Sequence, residues 1–184
     1  DSPAVTNGRP THLAEYLSRA AGARPEHPAL VVGASRMTWA DVDRGAHACA
    51  AGLVARGLKP GDRIGLFLGN RPEFVIAYFG ALRAGAVIVP VNPALTSPEV
   101  TQLADHVGLS LVVVDRNTAE TAGHAVADVP QVVAAAGLGE GSFDALLASG
   151  SGVAVTAPQG GESLAVVVYT SGTGGDAKGA MLSH

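Results

Sequence analysis

The residues best suited to chemistry lie at 169–184, which read YTSGTGGDAKGAMLSH. They follow the apolar run LAVVV at 164–168, and a run that changes abruptly into Thr, Ser, Gly and Lys is typical of a buried strand leading into a phosphate-binding loop. Glycines bring backbone N–H groups close to an anion, hydroxyls add donors, and a lysine adds a mobile positive charge. The candidate phosphate-binding residues are Thr170, Ser171, Gly172, Thr173, Gly174, Gly175, Lys178 and Gly179.

The spacing of these residues argues against a Walker P-loop, GxxxxGK[ST]. Counted from Gly172, the second glycine falls on Ala177, and Gly179 takes the place of the hydroxyl residue that must bind magnesium. A glycine-rich surface turn beside an ordinary lysine does not explain so many correctly spaced residues after a strand. The pattern therefore predicts a different class of phosphate-binding loop.

The segment resembles the signature loop YTSGTTGxPKG of the adenylate-forming superfamily, which contains acyl-CoA synthetases, aryl-CoA ligases and peptide-synthetase adenylation domains. Two positions differ: Gly174 replaces a threonine and Ala177 replaces a proline, so the loop loses one hydroxyl and one fixed φ. Segments 37–53, 61–70 and 82–93 resemble earlier parts of the same superfamily in the same order. The resemblance therefore covers nearly the whole chain.

The resemblance implies an enzyme that joins a carboxylate to AMP from ATP, releases pyrophosphate and, in many members, passes the acyl group to coenzyme A. The loop at 170–179 would hold the β and γ phosphates with Lys178 as counter-charge. Thr170 is assigned to Mg²⁺, which neutralises the same oxygens, and His184 is expected as a catalytic residue near the acyl and α-phosphate region. The expected cofactors are ATP, Mg²⁺ and coenzyme A as co-substrate.

The implied protein is an ATP-dependent acid–thiol ligase (AMP-forming), and likeness at 61–93 and 178–184 favours a fatty acid as its small-molecule carboxylate. We expect residues 1–184 to be a partial N-terminal domain that ends at the phosphate loop, with the C-terminal domain absent and the fragment alone inactive. Three alternatives stay open: an aryl-CoA ligase, a peptide-synthetase adenylation domain, or a non-catalytic nucleotide-binding relative, which Gly174 and Ala177 suggest.

The composition argues against several other classes of protein. Hydrophobic residues make up 47% and charged residues 15%, and the net charge is −4, which indicates a globular chain with no basic surface for nucleic acid. Residues 1–11 have no apolar core for a signal peptide, and Arg83 and Pro90 interrupt the apolar window at 74–91, so no transmembrane segment is predicted. Cys49 is predicted to be a buried, inert thiol, compatible with a cytoplasmic location.

Apolar runs and helix caps predict the elements that position the loop. Strands are predicted at 29–32, 63–68, 86–91, 110–114 and 164–168, and weaker patterns indicate a helix within 116–128, a strand at 131–135 and a helix at 143–148. Continuously apolar strands joined by helices predict an α/β fold with a mainly parallel sheet covered by helices. The resemblance identifies this fold with the N-terminal portion of the adenylate-forming enzymes' large domain.

Helix starts are predicted at Thr11, at a capping box between Thr38 and Asp41, and at Ser97. Most of 137–161, which is rich in Gly, Ala and Ser, is expected to be surface. Asp41 and Asp43 are expected on a solvent-facing helix surface rather than as an acid–base pair. The remaining histidines are expected to be surface or hydrogen-bonded residues: His12, His27, His47, His106 and His124.

Overall fold

A computed structural model describes residues 11–134, 141–155, 161–170 and 178–184. The helices are α1 (Leu13–Ala23), α2 (Trp39–Ala55), α3 (Pro72–Arg83), α4 (Ser97–Val107), α5 (Ala119–Ala125) and α6 (Phe143–Ser149). The strands are β1 (Pro28–Val32), β2 (Ser35–Thr38), β3 (Arg63–Phe67), β4 (Val87–Pro90), β5 (Leu111–Val114), β6 (Gln131–Val133), β7 (Leu164–Thr170) and β8 (Lys178–Ser183).

The main sheet has the strand order β6-β5-β3-β4-β7-β8. Its neighbours are parallel from β6 to β7, and only β8 runs antiparallel, against β7. Helices cover both faces, so the predicted α/β class with a mainly parallel sheet is confirmed.

Strands of this sheet read as continuous apolar runs because both of their faces are buried. In β3, Ile64 and Leu66 face a core shared with α2, α3 and α6, whereas Phe67 faces a second core shared with α4 and α5. Successive side chains of a strand point to opposite faces, so a strand covered on both sides needs apolar residues at every position. The strands predicted at 63–68, 86–91, 110–114 and 164–168 correspond to β3, β4, β5 and β7.

The first predicted strand exists but does not join this sheet. β1 pairs only with β2, in a separate antiparallel hairpin that turns at Gly33, where φ is 59°. The sequence analysis did not predict β2, because Ser35 and Arg36 are exposed and give no apolar alternation. β8 was also not predicted, since residues 178–183 were assigned to the loop and the segment after it.

Two predicted helix starts are wrong by one residue. His12 rather than Thr11 caps α1, because its ring nitrogen accepts the hydrogen bond from the Ala14 N–H. Thr96 rather than Ser97 precedes α4, and the Glu99 carboxylate accepts from the Thr96 N–H at 2.8 Å. The capping box of α2 forms as predicted: Asp41 accepts from the Thr38 N–H, and the Thr38 hydroxyl accepts from the Asp41 N–H.

The helices α2 and α6 approach so closely that two glycines are required between them. A Cβ added to Gly52 would lie 2.0 Å from the carbonyl oxygen of Leu146, and one added to Gly150 would lie 2.4 Å from the Gly52 nitrogen. Phe143 and Leu146 are 3% and 0% exposed. The expectation of a mostly surface segment at 137–161 is therefore wrong for α6, which completes one face of the core.

Arg83 joins α1, α2 and α3. Its guanidinium donates to the Asp43 carbonyl oxygen at 2.9 Å and to the Ser18 hydroxyl at 2.7 Å, and it forms an ion pair with the Asp43 carboxylate. Asp43 was expected on a solvent-facing helix surface, whereas its side chain is only 31% exposed because it pairs with a guanidinium that is 12% exposed. The apolar window at 74–91 divides into α3 and β4, and no helix among the described residues has the length and apolarity needed to cross a membrane.

Candidate functional site

The candidate phosphate loop is held between two antiparallel strands. In the register of β7 and β8, Tyr169 lies opposite Gly179, and Thr170 lies opposite Lys178. The structure therefore brings together three of the predicted site residues, Thr170, Lys178 and Gly179, at the two ends of the loop. The other predicted loop residues lie outside the described residues: Ser171, Gly172, Thr173, Gly174 and Gly175.

The loop leaves the sheet at the carboxyl end of a parallel strand. β7 runs parallel to β4 with Ile88 opposite Val166, so the residues that follow both strands lie at the same edge of the sheet. In open α/β sheets, ligands bind at this edge, outside the carboxyl ends of the strands. The segment that begins at Asn92 follows β4 at this same edge, and the Asn92 side chain accepts a hydrogen bond from the Ala94 N–H at 3.0 Å.

The Tyr169 ring covers Gly179 where β7 and β8 lead into the loop. A Cβ built on Gly179 would lie 3.1 Å from Tyr169 Cζ and 3.3 Å from its hydroxyl oxygen. The same Cβ would lie 3.1 Å from Val167 Cγ1, so a side chain at this position would have to displace both the ring and the valine. The glycine of the Lys-Gly pair thus has a packing role across the strands, which the sequence analysis, treating Gly179 only as a phosphate contact, did not identify.

A buried carboxylate occupies the same edge of the sheet, after β5. Burial works to raise the pKa of Asp115, but hydrogen bonds from the Gly69, Asn117 and Thr118 N–H groups outweigh burial and hold that pKa below its usual value. The Arg71 guanidinium adds an electrostatic contribution in the same direction. These backbone hydrogen bonds join the ends of β3 and β5, so the role of Asp115 is structural, and a lone Asp after an apolar run gave no specific signal of it.

The Arg71 side chain is already paired with a carboxylate. Its guanidinium makes a two-point ion pair with Glu73, with both N–O distances at 2.9 Å. The pair follows β3 and opens α3 at the carboxyl edge of the sheet. Its charges compensate each other and leave no free cation for a phosphate at this position.

His184 lies at the other end of β8 from the phosphate loop. Lys178 pairs with Thr170 at the loop, whereas Ser183 pairs with Leu164, a separation of about 16 Å along the strand at about 3.3 Å per residue. The His184 ring stacks on His12, with ring centroids 3.7 Å apart, and its Nδ1 accepts from the Leu13 N–H at 3.2 Å. Its catalytic role stays a prediction, and this placement lends it no support.

His12, which was expected to be a surface or hydrogen-bonded histidine, is hydrogen-bonded through its Nδ1. Its side chain is buried, with its residue 5% exposed, and its Nε2 has no hydrogen-bond partner. Burial lowers the pKa of His12. Burial first and the neighbouring His12 second lower the pKa of His184 to about 4. Since both Nδ1 atoms accept backbone N–H groups, both rings are held in their neutral form.

Cys49 behaves as predicted. It is a free, buried thiol at the contact of α2 and α3, where a Cβ on Gly80 would lie 2.8 Å from its sulfur. Burial raises the pKa of this thiol to about 12, so it is not available as a thiolate nucleophile.

Metal binding by the protein alone would need a cluster of donor groups in the described part of the chain. No cluster of three or more His, Cys, Asp or Glu side chains with metal-site geometry occurs there. Magnesium is commonly held by substrate phosphates and only one or two protein oxygens. Such an ion fits a site where ATP supplies most of the ligands, and Thr170 is the residue proposed to contact it.

Comparisons with known proteins match the chain to one family of enzymes. The family model described as AMP-binding enzyme matches residues 17–184. Long-chain-fatty-acid–CoA ligase FadD13 of Mycobacterium tuberculosis is 35% identical over 151 residues, which make up 81% of this chain and 30% of that protein. AMB antimetabolite synthetase AmbE of Pseudomonas aeruginosa is 32% identical over 164 residues, or 89% of this chain and 7% of that protein.

A solved structure shares the fold. The inhibitor-bound N-terminal domain of FACL13 from Mycobacterium tuberculosis superimposes with a TM-score of 0.79 at 29% identity, covering 94% of this chain and 44% of that one. The chain thus spans less than half the length of each of these proteins.

Proposed function

Because the chain belongs to the family of AMP-binding enzymes, we propose that the protein carrying it is an AMP-forming acid–thiol ligase. The observation that carries this proposal is the family match over 17–184, together with a loop that opens at the carboxyl edge of the parallel sheet between Thr170 and Lys178. The loop sequence has the glycines, hydroxyls and lysine that triphosphate binding needs.

The proposed reaction has two steps. A carboxylate oxygen of the acid attacks the α-phosphorus of ATP, the bond from that phosphorus to the β-phosphate oxygen breaks, and pyrophosphate leaves. The thiol of coenzyme A then attacks the acyl carbonyl carbon, loses its proton and displaces AMP. The first step gathers negative charge on the phosphate oxygens, so fixed N–H donors and the Lys178 charge would lower its barrier.

Within this reaction we assign the β and γ phosphates to residues 170–175, 178 and 179. Magnesium, when bound with ATP, supplies further neutralisation of the phosphate oxygens. The Tyr169–Gly179 contact supports the assignment, because it fixes the spacing of the two strands from which the loop departs.

A fatty acid is the proposed substrate, supported by the similarity to FadD13. An amino acid is the second candidate, supported by the similarity to phosphinothricin tripeptide synthetase PhsC of Streptomyces viridochromogenes, which is 30% identical over 169 residues, or 91% of this chain and 15% of that protein. We place the enzyme in the cytoplasm, where ATP and coenzyme A are available and where a free thiol such as Cys49 is stable.

Pyrophosphate–ATP exchange on the full-length protein tests this proposal, with fatty, aromatic and amino acids supplied separately. Exchange with fatty acids, followed by formation of an acyl-CoA thioester, is the expected result. Exchange with amino acids alone would assign the protein to peptide-synthetase-like enzymes. Absence of exchange with every carboxylate would contradict an adenylating function and favour the non-catalytic relative that Gly174 and Ala177 suggest.

Lys178→Ala provides the matched test of the loop. Loss of a charge-assisted contact worth about 1.5–3 kcal/mol predicts that exchange slows by roughly ten-fold to a hundred-fold. Lys59→Ala removes the same charge at an exposed turn and should leave exchange unchanged. Equal rates for the two variants would refute the role of Lys178.

A further inference from the structure

The last turn of α4 contacts the strand that leads into the phosphate loop. The His106 ring meets the Tyr169 ring edge-to-face, with centroids 5.7 Å apart and an interplanar angle of 78°. This separation and angle match the favoured geometry of an aromatic pair. Tyr169 immediately precedes Thr170, so the contact lies next to the first residue of the loop.

Tyr169 is therefore held from two sides. Its ring lies against Gly179 of β8, with 3.1 Å between its Cζ and a Cβ built on that glycine, and on the other side it contacts the His106 ring of α4. A ring placed between a strand and a helix can transmit the position of the helix to the strand.

The helix is a firm support for this ring. Val100, Leu103 and Val107 of α4 are buried in the core beneath the sheet, and Tyr169 packs against the same core. His106 itself is exposed, so it adds little to that core. Its ring contact is thus separable from the packing that holds α4 in place.

The end of β7 has fewer paired neighbours than its middle, so side-chain contacts matter more there. Within the described residues, the parallel register of β7 with β4 consists of Ile88 opposite Val166, whereas the antiparallel register with β8 continues to Thr170. Among the described residues, β7 from Val168 onwards is paired with β8 alone. Val168 packs against the core shared with α2 and α3, and the Tyr169 ring contacts α4 on the other side. The Tyr169–Gly179 pair is next in register to the pair formed by Thr170 and Lys178, so the ring contact adjoins the two ends of the loop.

From this geometry we infer that His106 is a positioning residue for the nucleotide, acting through Tyr169 on the two strands that hold the phosphate loop. The inference rests on the proposed function, because it concerns the same loop. It states that an exposed histidine, more than sixty positions before the loop in the sequence, affects the affinity of that loop for the triphosphate of ATP.

The alternative explanation of His106 is electrostatic, since it is the basic residue in the last turn of α4 and a cation is favourable at a helix C-terminus. Two substitutions separate the explanations. His106→Phe keeps an aromatic ring against Tyr169 but removes the basic group, whereas His106→Lys keeps a cation but removes the ring. His124→Ala is the matched control, because His124 is the exposed basic residue in the last turn of α5.

The test measures KM for ATP and kcat in pyrophosphate exchange with the full-length protein, and the Kd of ATP by calorimetry. An aromatic pair of this kind predicts that His106→Ala raises KM and Kd for ATP about two-fold to ten-fold, with a smaller change in KM for the acid. His106→Phe should restore both values, His106→Lys should not, and His124→Ala should match the wild type. Retention of wild-type values by His106→Lys, with loss in His106→Phe, would overturn the inference in favour of the helix dipole.

A second readout does not depend on catalysis. With fluorotyrosine incorporated, the resonance that Tyr169→Phe removes should shift in His106→Ala and not in His124→Ala. Unchanged ATP constants and an unchanged resonance in His106→Ala would overturn the inference while wild-type exchange upholds the proposed function. If the wild type binds ATP but shows no pyrophosphate–ATP exchange with any carboxylate, the proposed reaction fails. The comparison of Kd values for ATP still decides the role of His106 in that case. Failure of the wild type to bind ATP overturns both.

Discussion

Two regions of the molecule are packed in different ways: the helical layer of α2, α3 and α6, and the strand pair β7–β8. In the helical layer, backbone lies directly against backbone, as at Gly52, where a single added Cβ would meet a carbonyl oxygen at 2.0 Å. At the end of the β7–β8 pair, strands meet in register, and a Cβ added to Gly179 would meet only side chains, the Tyr169 ring and Val167, each at 3.1 Å. The comparison indicates that substitutions in the first region affect folding, whereas those in the second affect the loop.

Gly52→Ala should give the largest loss of stability. The new methyl cannot fit beside the Leu146 carbonyl, so α6 must move away from α2, and we expect a loss of about 3 kcal/mol or more in the free energy of unfolding. Urea unfolding of the purified protein measures it. Gly22→Ala is the control, because nothing lies within 4 Å of the added Cβ and the helix should gain roughly 0.5–1 kcal/mol. A Gly52→Ala protein of wild-type stability would disprove the close contact.

Arg83→Met should give the second-largest loss in the free energy of unfolding. The substitution keeps an apolar stem but removes the hydrogen bonds to Ser18 and to the Asp43 carbonyl, and it leaves the Asp43 carboxylate without its cation. We expect a loss of about 1–3 kcal/mol on urea unfolding. The exposed pair of Arg44 and Asp41 provides the comparison, and Arg44→Met should cost less than about 1 kcal/mol. Equal losses would show that burial does not distinguish the two pairs.

The His12–His184 pair should make stability depend on pH. An ordinary histidine takes up its proton near pH 6.5, whereas folded His184 does so only near a pKa of about 4. The unfolded chain therefore binds more protons between these values, so this contribution is complete above pH 6.5 and is lost as the pH falls toward about 4. Solvent screening of a partly exposed ring limits the loss to roughly 1 kcal/mol.

His12→Asn is the variant that checks this dependence. Asparagine keeps a side-chain acceptor for the Ala14 N–H at the start of α1 but does not titrate. Thermal unfolding between pH 7 and pH 4 should therefore show a shallower decline in the variant than in the wild type. A slope that does not change would mean that other groups cause the acid sensitivity.

Of these substitutions, Gly179→Ala should have the smallest effect on the free energy of unfolding, and its main effect should be on KM for ATP. The Tyr169 ring and the Val167 side chain each need to move by only a few tenths of an ångström, and alanine is less costly than glycine within a strand, so stability should change by less than about 1 kcal/mol. The displaced ring should nevertheless raise KM for ATP in pyrophosphate exchange. A large loss of stability with unchanged KM would remove the distinction between the two regions.

Local patterns were sufficient for much of the fold. The runs that became β3, β4, β5 and β7 could be recognised because burial on both faces demands an unbroken apolar sequence. The α2 capping box and the helix stop at Gly108, where φ is 66°, depend on neighbouring residues alone. The phosphate loop could be proposed for the same reason, because its residue types and spacing are contiguous.

Features that depend on distant residues could not be predicted in this way. The polar strand β2 forms because β1 lies beside it, and β8 forms because β7 offers an antiparallel edge. Neither strand has the alternation of apolar and polar residues that marks a half-buried strand. The contact between His106 and Tyr169 likewise joins residues far apart in the sequence.

The sequence by itself thus determined the α/β class and most of the helix and strand positions, and it was enough to propose the loop with Lys178, because each of these follows from residues within a few positions of one another. Only the tertiary structure decided that His184 lies against His12 rather than beside the loop, and that Gly52 and Gly150 lie between two helices. The physical reason is that strand register and close packing are set by which surfaces meet, and residues that are not neighbours in the chain determine those surfaces.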